Sequence, residues 1–181
     1  MDDLTRRDVL KLGAAATVAA TVAVPEALTG QPAAAKTFFT PAELALVDEL
    51  SELIIPADEH SPGARAAKVA AYIDSRLADA WDPADRTKWR DGLALIDRLS
   101  REATGGRTFT QAPADQRAAL LTRMAQHEDK PTAPEEVFFG ELKSRVAHAY
   151  YTSEIGIHQD MDYKGNTYLA EFVGYDARQD R

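Results

Sequence analysis

Chemistry in this chain has to come from a short list of side chains. His60, His127, His148 and His158 are its imidazoles, and three of them converging in space would make a metal site. Asp58, His60, His148 and Glu154 meeting in one pocket would instead combine carboxylates and imidazoles for acid–base work. Ser153 beside Glu154 offers a nucleophile next to a base, but no positioned histidine or oxyanion element accompanies it in the sequence. His60 stands apart because it lies in the Pro- and Gly-bounded stretch "PADEHSPG", residues 56–63. Loops carried on a rigid scaffold are where contacts concentrate, so an interface role is expected for it before a catalytic one. His148 falls on the last long helical pattern, where it reads as an ordinary partly buried or surface residue.

A calcium-loop pattern occurs near the C-terminus. From Asp160 to Glu171 the chain has Asp at positions 1 and 3, Gly165 at 6 and Glu at 12, as in an EF-hand. Lys164 occupies position 5, where its ammonium opposes a cation, and Thr167 replaces the apolar residue usual at position 8, so an Asp- and Gly-rich turn is the preferred reading. Dinucleotide and P-loop glycine motifs, the G-x-S-x-G elbow and the H-E-x-x-H zinc pair are all missing. With no cysteine, the chain has no disulfide, thiolate zinc site, iron–sulfur cluster or C-x-x-C-H haem attachment. A formal charge of −8 gives it no electrostatic reason to seek nucleic acid or anionic lipid.

The elements that would position these residues are helical. Thr40-Pro41-Ala42-Glu43 is a capping box with Pro in the first turn, and Leu44, Val47, Leu50 and Ile54 follow at helical spacing until Pro56. Residues 64–81 are expected to form a second helix, with Val69, Ile73, Leu77 and Trp81 on one face. Asp82-Pro83 starts a third, with Trp89, Leu93, Ile96 and Leu99 buried, ending at Gly105-Gly106. A shorter segment after Pro113 carries Leu120, Leu121 and Met124, and "EEVFFGELKSRVAHAYYTSE" carries Phe138, Leu142, Val146 and Ala149 or Tyr150. Successive helical positions lie about 100° apart, so one ring of each pair Phe138-Phe139 and Tyr150-Tyr151 is expected to face a partner; Phe139 and Tyr151 are assigned that side. The fold expected is a mostly α single-domain helical bundle with an irregular C-terminal tail beyond Gly156.

Residues 1–35 read as an address. Arg6, Arg7 and Lys11 precede an apolar run of thirteen residues, Leu12 to Val24, and Ala33-Ala34-Ala35 fits an A-x-A cleavage site. The run is shorter than the about 20 residues a membrane-spanning helix needs. Thr5-Arg6-Arg7-Asp8-Val9-Leu10-Lys11 resembles a twin-arginine signal, with Val9 where Phe is commonest. The expected organisation is a signal at 1–35 and one domain at 36–181, in the periplasm, held at the membrane through partners or by an uncleaved signal.

The run "LVDELSELIIPADEHSPGARAAKVAAYID", followed by "GGRTFTQAPADQRAALL" and "FFGELKSRVAHAYYTSEIG", resembles the gluconate 2-dehydrogenase subunit 3 family over about residues 38–175. Its most specific pieces are Ile55-Pro56-Ala57-Asp58 with Ser61-Pro62-Gly63-Ala64, and Tyr150-Tyr151-Thr152-Ser153-Glu154 with Gly156. The resemblance implies a non-catalytic small subunit that assists maturation and twin-arginine export of a large FAD-dependent, GMC-type dehydrogenase acting on sugars or sugar acids, and stays bound to it. In some assemblies a cytochrome c subunit accompanies the pair. No catalytic, cofactor or metal residues carry over; FAD is expected on the partner, which would travel as a bound passenger of the twin-arginine translocase. His60, Ser61, Pro62, Phe139, Tyr150 and Tyr151 are the residues expected at the partner interface. Two other readings stay open: a self-sufficient periplasmic enzyme using the His/Asp/Glu pocket, and an independent helical binding module with a weak calcium loop.

Overall fold

The computed structural model describes residues 36–163 and Gly165. Arg6, Arg7 and Lys11 of the signal lie outside the described residues, as do Lys164, Thr167 and Glu171 of the calcium-like loop. Among the described residues six α-helices follow in order: α1 Pro41–Ile54, α2 Gly63–Ala66, α3 Val69–Ala78, α4 Pro83–Thr104, α5 Ala114–Met124 and α6 Pro134–Tyr151. A 3-10 turn at Phe109–Gln111 precedes α5, and a π-helical turn at Gly156–Asp160 follows α6. No strand occurs among the described residues, and the protein is a mostly α single domain.

Local chemistry sets where the helices start. Thr40 Oγ1 accepts from the Glu43 amide and the Glu43 carboxylate accepts from the Thr40 amide, closing the box at the head of α1. The Asp82 carboxylate accepts from the Ala84 amide, with Pro83 in the first turn of α4. At the head of α6 the buried Glu136 carboxylate collects the amides of Thr132 (2.8 Å) and Ala133 (3.0 Å), with His127 Nδ1 at 2.6 Å. The Ala133 amide, then His127, then the Thr132 amide hold the Glu136 pKa down at about 2.

One expected helix is two. Between Ala66 and Val69 the chain breaks at Lys68, whose φ of 56° and ψ of 36° are left-handed. The break lets α2 and α3 both pack on α1, with Ala64 buried from one and Val69, Ile73 and Leu77 from the other. Helix α3 ends at Ala78, so Trp81 falls outside it and is 99% exposed rather than part of the buried stripe.

Helix α6 is packed on by α1, α3, α4 and α5. Phe138 meets Trp89 of α4 edge to face, with centroids 5.7 Å apart, and Trp89 in turn meets Phe39 at 5.9 Å. Phe139, buried, lines a surface pocket together with Leu53, Ile54, Leu121 and Ala125. Both phenylalanines are therefore core residues. The expectation that Phe139 faces a partner fails because α6 is enclosed by helices on more than one side, so its buried arc exceeds one stripe.

Two results would test this packing. A Cβ at Gly92 would lie 2.2 Å from the Phe138 ring, whereas one at Gly140 would meet nothing within 4 Å. Gly92→Ala is expected to lower stability by about 1–3 kcal/mol through overpacking, and Gly140→Ala to raise it by about 0.5–1 kcal/mol through helix propensity, both read by urea unfolding. Because the folded Glu136 pKa is lowered, its contribution is present above the ordinary value of 4.5 and lost as pH falls from there toward 2. Glu136→Gln should flatten that part of the melting temperature–pH profile.

Candidate functional site

The loop after α1 is built around Asp58 and Ser61. The Asp58 carboxylate accepts from the amides of His60 (2.8 Å) and Ser61 (2.7 Å), and the Asp58 amide donates to the Ser61 carbonyl at 2.8 Å. Those two backbone donors hold the Asp58 pKa below the usual aspartate value. Ser61 Oγ hydrogen-bonds the hydroxyl of Tyr150 from α6 and accepts from the Gly63 amide at 3.2 Å. Gly63 has a φ of +81°, and a Cβ there would lie 2.6 Å from the Ala57 nitrogen, so glycine is required. Glu52 of α1 accepts from the amides of Ala57 and Arg65, and the Ala64 amide donates to the Ile55 carbonyl at 2.9 Å.

This accounting redistributes the expected site residues. Ser61 is buried and Tyr150 is fully buried, so both hold the loop onto α6 rather than meeting a partner. Pro62 is half-buried, while His60 projects into solvent with a Glu59 carboxylate oxygen 3.5 Å from its Nε2. Tyr151 is 45% exposed, and the negative charge of Asp160, then burial, raises its phenol pKa. Asp58 spends its carboxylate on the loop backbone, the His148 ring lies tilted with its centroid 6.4 Å from that of Tyr72, and Glu154 is exposed. Among the described residues no three His, Cys, Asp or Glu side chains gather to hold a metal ion. None of their helices is long and apolar enough to cross a membrane.

The side chains left unspent lie elsewhere. Arg86 of α4 donates to the carbonyls of Leu77 (2.9 Å), Ala78 (2.6 Å) and Ala80 (3.2 Å), capping α3 and fixing the turn that presents Trp81. Between α3 and α6 a cleft of about 100 Å³ is lined by Tyr72, Ile73, Arg76, Arg145 and His148.

The family model for gluconate 2-dehydrogenase subunit 3 matches residues 41–168. The chain belongs to that family. Neither a curated protein nor a solved structure matches it. The matched span of this subunit 3 family member holds the loop, the cleft and the Trp81 turn together. Sequence reasoning missed the cleft and the turn. The available signal was Trp81 standing directly before the Asp82-Pro83 helix start, a place from which it cannot continue the α3 stripe.

Removing one partner of a buried hydrogen bond costs about 1–3 kcal/mol. Tyr150→Phe is expected to cost that much stability and to speed amide exchange at Asp58, Ser61 and Gly63, read by NMR hydrogen exchange. Unchanged exchange there would show that Tyr150 does not brace the loop.

Proposed function

We propose that this chain is the non-catalytic small subunit of a flavin-dependent sugar or sugar-acid dehydrogenase, assisting maturation and twin-arginine export of the catalytic flavoprotein and remaining bound to it. The observation that carries the reading is the family match across residues 41–168, which makes the chain a subunit within a multi-subunit dehydrogenase family. The placement of side chains supports it. Asp58, Ser61 and Tyr150 brace a loop, Glu136 caps a helix, and the groups left facing solvent include Tyr72, Trp81 and Tyr151, types enriched at protein interfaces. In this reading FAD sits on a large GMC-type partner, a cytochrome c subunit joins some assemblies, and the complex works in the periplasm. Arg6 and Arg7 supply the export address for both subunits.

Double replacement Arg6→Lys with Arg7→Lys is expected to leave both this chain and the partner's dehydrogenase activity in the cytoplasmic fraction. Normal export of the partner activity in that variant would sink the escort role. A tagged pull-down from the cell envelope should bring down a large subunit with flavin absorption bands. A colourless, solitary chain would remove the accessory reading.

A further inference from the structure

We propose that the cleft between α3 and α6 receives a carboxylate side chain of the catalytic subunit, with Trp81 as the neighbouring apolar anchor. This rests on the accessory-subunit reading and names its docking surface.

The charge pattern is the first reason. In a chain of net charge −8, most basic groups near the surface are already committed. Arg65 binds Asp48 and Glu49, Arg90 binds Glu43 and the Phe38 carbonyl, and Lys88 binds Glu141. The cleft is different, because Arg76, Arg145 and His148 line it, no carboxylate does, and of its two guanidinium groups only Arg145 is ion-paired. Arg145 is oriented from behind by Glu141 at 2.9 Å and by Asp85 at 3.5 Å, which fixes it as a wall. Arg76 is exposed and has no ion pair or hydrogen bond among the described residues, so its fork of donors is unspent. Guanidinium donors of this kind match a carboxylate in shape and charge.

Size selects the source of that carboxylate. Small-molecule sites run to about 300–1,000 Å³, and this cleft holds about 100 Å³. An Asp or Glu side chain entering from another surface fits it; a free sugar acid or a flavin does not.

Trp81 supplies the apolar part. Its indole is 99% exposed although the three carbonyl bonds from Arg86 hold the turn that carries it. A wholly exposed tryptophan on a braced turn gains only when something covers it, and tryptophan and arginine dominate interface hot spots. The turn adjoins the cleft in the chain, since Trp81 lies five residues beyond Arg76 and four before Asp85, the partner of Arg145.

The test immobilises the full chain and titrates it with the purified flavoprotein subunit. Wild type is compared with Arg76→Glu, Arg76→Gln, Trp81→Ala and a control, Arg123→Glu, at an exposed α5 position. The two charge reversals are equal in sign, so they separate the cleft from general charge. Arg76→Glu and Trp81→Ala are each expected to weaken binding by about tenfold or more, and Arg123→Glu by less than about threefold. Arg76→Gln guards against misfolding in the reversal; a loss shared by both Arg76 variants at unchanged melting temperature supports the cleft. Wild type that binds no flavoprotein would remove the accessory reading and this surface with it. Wild type that binds while all variants bind as tightly would overturn the surface and leave the accessory reading standing. Sodium gluconate raising the melting temperature of wild type but not of Arg76→Gln would assign the cleft to a free carboxylate and also overturn it.

Discussion

The enclosure of α6 is the constraint from which the rest follows. A helix contacted by α1, α3, α4 and α5 has to present apolar surface over most of its circumference. It does so with Phe138 toward Trp89, Phe139 toward α1 and α5, and Leu142, Val146, Ala149 and Tyr150 along its length. The close approach of α4 leaves no room for a side chain at position 92, where the Phe138 ring lies. The last buried position, Tyr150, carries a hydroxyl that needs a partner, and the loop after α1 supplies Ser61. The loop's conformation is thus tied to the core through one polar contact, and the core's central helix is finished by a loop.

What the sequence made legible was what it encodes locally. The boxes at Thr40-Glu43 and Asp82-Pro83 join residues within one turn, so reading neighbours sufficed. The stripes of α1, α4 and α5 were likewise readable, because each of these helices faces the core from one side. Periodicity misjudged α6 for the converse reason, placing Phe139 outside a core that surrounds it. The pairing of Ser61 with Tyr150 spans 89 residues and has no local signature. The break at Lys68 has none either, since no glycine or proline marks it; tertiary packing of α2 and α3 on α1 imposes that left-handed residue. Trp81 was misplaced for a separate reason: the helix expected to bury it stops at Ala78, three residues short.

Polar groups in this domain divide into those that finish the fold and those that do not. Asp58, Glu52, Ser61, Asp97, Glu136 and Arg86 all serve backbone donors or acceptors that a short-helix protein leaves bare at its many helix ends. Six helices with tight connections among the described residues leave many such ends for their length, and several carboxylates and hydroxyls are spent on them. Of the candidates the sequence offered, Asp58 and Ser153 are drawn into closing the fold, whereas His60 and Glu154 stay at the surface. What remains outside includes Tyr72, Trp81, Tyr151 and Arg76, residue types suited to holding another protein.

The domain's first residues carry a further consequence. The amides of Phe38 and Phe39 donate at 2.8 and 2.7 Å to one oxygen of Asp74, buried in α3, while Arg90 holds the Phe38 carbonyl and lies 4.4 Å over its ring. If the leader is removed after Ala35, only Lys36 and Thr37 separate the new terminus from that clasp. A cut two residues later would turn the Phe38 amide into an ammonium, setting a full charge against Asp74 in place of a neutral donor. A cut one residue beyond that would discard the ring and carbonyl that Arg90 grips. A leader removed at that point would leave a margin of two residues between the cut and the first residue the fold holds.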